Sequence, residues 1–108
     1  MFGAYGIKEV DVDFLQSRKD DIHLIDVRTE AEVAAGAIAG AVHIPLHLLP
    51  LKANEIPLDK TVVIYCRSGA RSAQACAFMQ QKGYDNMHNL VGGISAWARA
   101  GMPISRLS

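Results

Sequence analysis

An excess of charge of either sign is missing: 11 Lys and Arg balance 11 Asp and Glu in 108 residues. General binders of nucleic acid or of an anionic membrane surface carry a basic excess, so neither nucleic acid nor membrane is expected as a partner. Long apolar runs are also missing, and none approaches the ~20 residues that cross a bilayer. The first residues lack a basic segment followed by an apolar stretch and a cleavage site, which makes the cytoplasm the expected location. Cysteine is scarce, with only Cys66 and Cys76. Cys76 falls roughly 7 Å up the helix that Cys66 precedes, at about 1.5 Å per residue, so a disulfide between them is hard to reach. Cys76 reads as a packing residue on that helix, and neither cysteine implies an oxidising compartment. Internal repeats, linkers and low-complexity stretches are absent too. One domain over residues 1–108 is expected, with residues 1–6 a loose N-terminal segment, large enough for a core without metal or disulfide staples.

What is present is an alternation of short apolar runs with helical stretches. His23-Leu24-Ile25-Asp26-Val27 and Thr61-Val62-Val63-Ile64 read as buried strands, Ile38 to Pro45 as a turn with a brief strand, and Asn86 to Leu90 as a weaker one. Asp11 or Asp13 caps a short helix ending near Lys19, and Glu30 to Ala35 forms another, stopped by Gly36. Residues Leu46 to Asp59 hold a short helix between bends at Pro50 and Pro57. A longer helix spans Ser72 to Lys82, closed by Gly83, and Gly92-Gly93 opens a last one, closed by Gly101 and Pro103. The fold class this predicts is α/β, a parallel sheet covered on both faces.

The chain is organised around Tyr65-Cys66-Arg67-Ser68-Gly69-Ala70-Arg71-Ser72, at the end of one strand and the start of a helix. In an open α/β sheet that edge is where ligands bind. Backbone N–H groups in a tight loop, the helix N-terminus and the cations of Arg67 and Arg71 all favour an anion there. Gly69 frees the backbone to bend. A thiol in such a cradle ionises more readily, because its charged form is what the cradle stabilises. Cys66 is therefore a candidate thiolate nucleophile. The competing reading is a small buried hydrophobe, which the flanking arginines and glycine disfavour. Ser68 and Ser72 offer hydroxyl donors, with Ser72 read as the helix cap.

Other candidate chemistry reads as structure. His43 and His47 are four apart, but Pro45 between them breaks the helix a metal pair would need, and His23 and His88 stand alone, so no metal site is expected. Asp26, Arg28, Glu30 and Glu32 read as a polar turn with an Arg28–Glu32 pair. Gly92-Gly93 lacks the Lys and the spacing of a phosphate loop and reads as a tight turn with close packing. Trp97 reads as core.

Together these segments resemble the rhodanese (sulfurtransferase) family in its single-domain form. Leu24-Ile25-Asp26-Val27-Arg28 and Glu32 to Pro45 are similar to its early signatures, Cys66 to Ser72 to its active loop, and Leu90 to Trp97 with Gly101-Met102-Pro103 to its C-terminal signature. The family often has an aromatic where Val33 stands and a His where Ala37 stands, differences expected to touch packing and partner choice more than chemistry. The resemblance implies a three-layer α/β/α domain with a central parallel sheet of about five strands, and no cofactor. It implies a persulfide on Cys66, with Arg67, Ser68, Gly69, Ala70, Arg71 and Ser72 binding a small anionic sulfur donor such as thiosulfate and a thiol or cyanide as acceptor. Three alternatives stand beside it. The first is a relay handing sulfur to a sulfur carrier protein. The second is a phosphatase of the same fold, which uses Cys, five residues, then Arg, whereas only four separate Cys66 from Arg71. The third is a non-catalytic binding module, which commonly lacks the cysteine.

Overall fold

The computed structural model describes residues 6–106, so the expected loose segment lies, but for Gly6, outside the described residues. Five strands, β1 (Lys8–Val10), β2 (Ile22–Asp26), β3 (Val42–His43), β4 (Thr61–Tyr65) and β5 (Met87–Leu90), form one sheet in the order β1-β5-β4-β2-β3. Every pairing is parallel, with Ile25 opposite Ile64 and Ile64 opposite Asn89. The helices are α1 (Val12–Arg18), α2 (Glu30–Ala35), α3 (Leu49–Lys52), α4 (Ala70–Gln81) and α5 (Gly93–Arg99). Short 3₁₀ turns occupy Lys19–Asp21, Leu46–Leu48 and Ala53–Glu55. The strand β1 was not read from the sequence; it completes the expected count of five.

Because successive strand side chains face opposite ways, β4 feeds two cores at once. Val62 and Ile64 join Ile25, Leu49, Cys76 and Met79 on one face; Val63 and Tyr65 join Leu15, Leu90, Ile94 and Trp97 on the other. Covering both faces is what an all-parallel sheet requires. Trp97 is buried and donates its indole N–H to the Pro103 carbonyl at 2.9 Å, so the core reading of this residue holds. Asp11 caps α1 by accepting from the Phe14 N–H at 2.9 Å. At the start of α2, Thr29 and Glu32 exchange hydrogen bonds as a capping box. Ala37, at one of the two positions that depart from the family, is fully buried and bridges Ser105 through two backbone hydrogen bonds.

Helix α4 begins two residues earlier than expected. Its N-cap is Gly69 at φ +105°, and Ser72 lies inside the first turn, so Ser72 is not the cap. The left-handed backbone at Gly69 turns the chain directly from loop into helix, which leaves the Ser72 hydroxyl free for another contact.

Candidate active site

Cys66 follows β4, the central strand, at the carboxyl edge of the sheet. Two neighbours shape its loop. From α5, the Ile94 N–H donates to the Cys66 carbonyl at 2.9 Å and the Ser95 N–H to the Arg67 carbonyl at 3.1 Å. With those two carbonyls held by a helix N-terminus, the N–H groups of the same peptide units point the opposite way, into the loop. Gly93 makes the approach possible: a Cβ there would collide with the carbonyl oxygens of both Cys66 and Arg67.

Inside the loop the donors converge on sulfur. The Gly69 N–H lies 3.1 Å from Cys66 Sγ, the Ser72 N–H 3.4 Å and the Ser72 hydroxyl 3.3 Å. Burial pushes the thiol up, but the Ser72 hydroxyl and the N–H groups of Ser72, Gly69 and Ser68 outweigh it, so the net displacement is below the ordinary thiol value. Ser72, the last residue of the Arg67–Ser72 loop, thus supplies both a backbone and a side-chain donor. Cys66 itself is 1% exposed and packs with the core beside α4. Burial and an anion cradle, set against each other in the sequence, occur together here. Cys76 is a free thiol like Cys66 and is pushed up to about 12 by burial, then by the charge of Cys66.

The remaining loop residues divide. Arg67, Ser68 and Ala70 are exposed. Among the described residues Arg67 makes no ion pair. Arg71 does not point free charge at the sulfur's approach: its guanidinium grips the Glu32 carboxylate at 2.7 and 2.8 Å. That grip holds Glu32 down at about 2. The expected Arg28–Glu32 side-chain pair is therefore absent. Arg28 precedes the Thr29 cap and is not on the helix, so four-residue helical spacing does not apply to it. Instead it forms a buried bidentate pair with Asp26, 2.7 Å at the shortest, and donates to the Gly36 carbonyl. Neither Glu32 nor the buried Asn89, which accepts from the Ser72 hydroxyl, had been singled out as part of the site. The signal available was positional: an Asn near the carboxyl end of the strand beside the one that Cys66 follows.

Two clefts flank the loop. One of about 350 Å³ is bounded by Glu9, Ser68, Gln74, Asn89 and Val91; the other, about 370 Å³, by Arg28, Glu32, Arg67, Ser95 and Ile104. Among the described residues no group of three or more His, Cys, Asp or Glu can hold a metal ion. No described helix is long and apolar enough to cross a membrane.

Residues 11–100 match the rhodanese-like domain family. A sulfurtransferase of Allochromatium vinosum is 52% identical over 101 residues, 91% of this chain and 94% of that one. The thiosulfate sulfurtransferase GlpE of Actinobacillus succinogenes is 31% identical over 75% of this chain and 73% of its own. The crystal structure of a rhodanese-related protein from Thermoplasma volcanium superposes with a TM-score of 0.85 at 31% identity, covering 90% of this chain and 96% of that one. The chain belongs to the rhodanese-like domain family. Within that family it falls with the sulfurtransferases.

Proposed function

We propose that the protein moves sulfane sulfur from thiosulfate, or a persulfide donor, to a thiol or cyanide acceptor through a persulfide on Cys66. The observation that carries this reading is the convergence of backbone and hydroxyl donors on Sγ. In the first step the Cys66 thiolate attacks the outer sulfur of thiosulfate; a Cys66 S–S bond forms, the S–S bond of thiosulfate breaks, and sulfite leaves with its electron pair. Three negative charges enter and three remain, one on the outer persulfide sulfur and two on sulfite. In the second step the acceptor anion attacks that outer sulfur, and the Cys66 thiolate is released. The backbone N–H donors of Gly69 and Ser72 are preset toward the anion and need no reorganisation as it forms. Arg67 draws in the dianionic donor, while Arg71, held by Glu32, keeps α4 and its first turn in place.

The shorter loop suits one sulfur atom better than a tetrahedral phosphate, which disfavours phosphatase chemistry. A relay to a sulfur carrier protein uses the same loop and is separated by direct transfer: incubation of the loaded protein with candidate carriers should move sulfur to one of them if relay is the role. The deciding experiment is mass spectrometry after thiosulfate treatment. The peptide holding Cys66 should gain one sulfur atom, cyanide should remove it as thiocyanate, and Cys66→Ser should show neither while folding normally. Full turnover in Cys66→Ser removes the mechanism.

A further inference from the structure

Ser72 has one hydroxyl proton and two acceptors within reach. Its Oγ lies 2.5 Å from Asn89 Oδ1 and 3.3 Å from Cys66 Sγ. Both Ser72 and Asn89 are buried, so the two contacts of the hydroxyl lie almost wholly within the protein. The orientation of the Asn89 amide is fixed from its other end, where Nδ2 donates to the Gly69 carbonyl at 3.2 Å. Nδ2 must face that carbonyl, hence Oδ1 must face Ser72. The proton can serve only one acceptor at a time.

We propose that Asn89 is a positioning residue that competes with Cys66 for the Ser72 hydroxyl proton, taking it whenever the sulfur is uncharged and yielding it to the thiolate. The inference rests on the sulfur-transfer reading above. During that cycle the negative charge leaves Sγ for the outer sulfur and later returns. A donor committed to Sγ alone would be left facing a neutral atom in a buried site whenever the persulfide is loaded, and an unsatisfied buried donor is costly. Asn89 Oδ1 gives the proton a second resting place. It therefore favours the thiol and the loaded persulfide over the free thiolate, and it makes sulfur uptake easier to hold. Other charged and titratable groups also act on Cys66. From α4 these are Arg71 and the Cys76 thiol; Asp26 of β2 and Glu32 of α2 act on Arg71 in turn. None of them is altered by a change at Asn89.

The test uses the full chain with Asn89→Leu, Ser72→Ala and the double variant, reading the ultraviolet absorbance of the Cys66 thiolate against pH in protein free of donor. With its rival acceptor gone, Asn89→Leu should lower the Cys66 pKa by roughly one unit, the equivalent of one hydrogen bond regained. The same change in the Ser72→Ala background should do nothing. Loading at a fixed thiosulfate-to-sulfite ratio should fall in Asn89→Leu by the same roughly tenfold factor. Asn89→Asp, which keeps an acceptor facing Ser72 and adds negative charge, should raise the pKa. A rise in Asn89→Leu, or an equal shift with and without the Ser72 hydroxyl, would overturn the proposal and leave Asn89 a scaffold for Gly69. So would an Asn89→Asp shift of equal size with and without the Ser72 hydroxyl, which settles the matter if the leucine variant does not fold. Failure of wild-type Cys66 to take up sulfur would instead remove the sulfur-transfer reading, while the titrations still decide who holds the proton.

Discussion

Cys66 Sγ is surrounded by uncharged donors, while the charged groups of its loop stand apart from it. Gly69 and Ser72 supply contacts of 3.1 to 3.4 Å. Of the two arginines flagged in the sequence, Arg71 is neutralised by Glu32, and Arg67 is exposed with no ion pair among the described residues. The two should therefore respond differently to substitution. Arg67→Ala should raise the KM for thiosulfate roughly fivefold at low salt, the equivalent of ~1 kcal/mol for one charge contact in water. The gap should close as ionic strength rises and the charge is screened. Steady-state kinetics over a salt series checks this; a KM that does not move at low salt would assign Arg67 to a protein partner instead. Cys76→Ser should leave turnover nearly unchanged, because a thiol held near 12 stays protonated at neutral pH.

At the scale of the element, the loop is the product of the two helices that abut it. Helix α5 holds the Cys66 and Arg67 carbonyls, and Gly93 at φ +59° is what lets it come so close. Gly93→Ala should cost at least ~1 kcal/mol from the left-handed backbone and more from collision with the two carbonyls. Thermal unfolding should drop by roughly 4–8 °C per kcal/mol, and turnover should fall with it; an unchanged midpoint with full activity would show that α5 does not set the loop. Helix α2 reaches the site through Glu32, whose folded pKa of about 2 lies below the ordinary 4.5. A depressed carboxyl stabilises the fold fully above its unfolded value and loses that contribution as pH falls through its folded one. Urea titrations of Glu32→Gln against the parent should thus differ from neutral pH down to about 4.5 and converge toward pH 2.

These same elements mark how far the sequence could be read. The strands β2 and β4, the helix Glu30–Ala35 and the position of Cys66 were legible because short apolar runs and glycine stops are local signals. Lys8–Val10 carries no such run; its strand exists because Lys8, Glu9 and Val10 register with His88, Asn89 and Leu90 across the sheet. The Arg71–Glu32 pair joins residues 39 apart in sequence and the Arg28–Asp26 pair lies outside any helix, so helical spacing alone pointed to the wrong partner. The role of Ser72 was misread because a left-handed Gly69, not a side chain, starts the helix.

Over the whole molecule, the two cores divide Val62 to Tyr65 of β4 between them in alternation. Neither face can melt while the other keeps its sheet. Trp97, the only tryptophan, reports on one face; the backbone signal reports on all. Tryptophan fluorescence and far-ultraviolet circular dichroism should give superimposable denaturant curves. Separated midpoints would mean that the α5 face comes loose first.

The near-complete burial of Cys66 has a chemical corollary for the resting protein. Peroxide damage to a cysteine follows thiolate character and access together, and here the loop donors favour the thiolate while burial narrows the access. A persulfide sets its reactive atom about 2 Å further out along the new bond. Once loaded, the protein offers the acceptor an expendable outer atom in place of the cysteine's own sulfur.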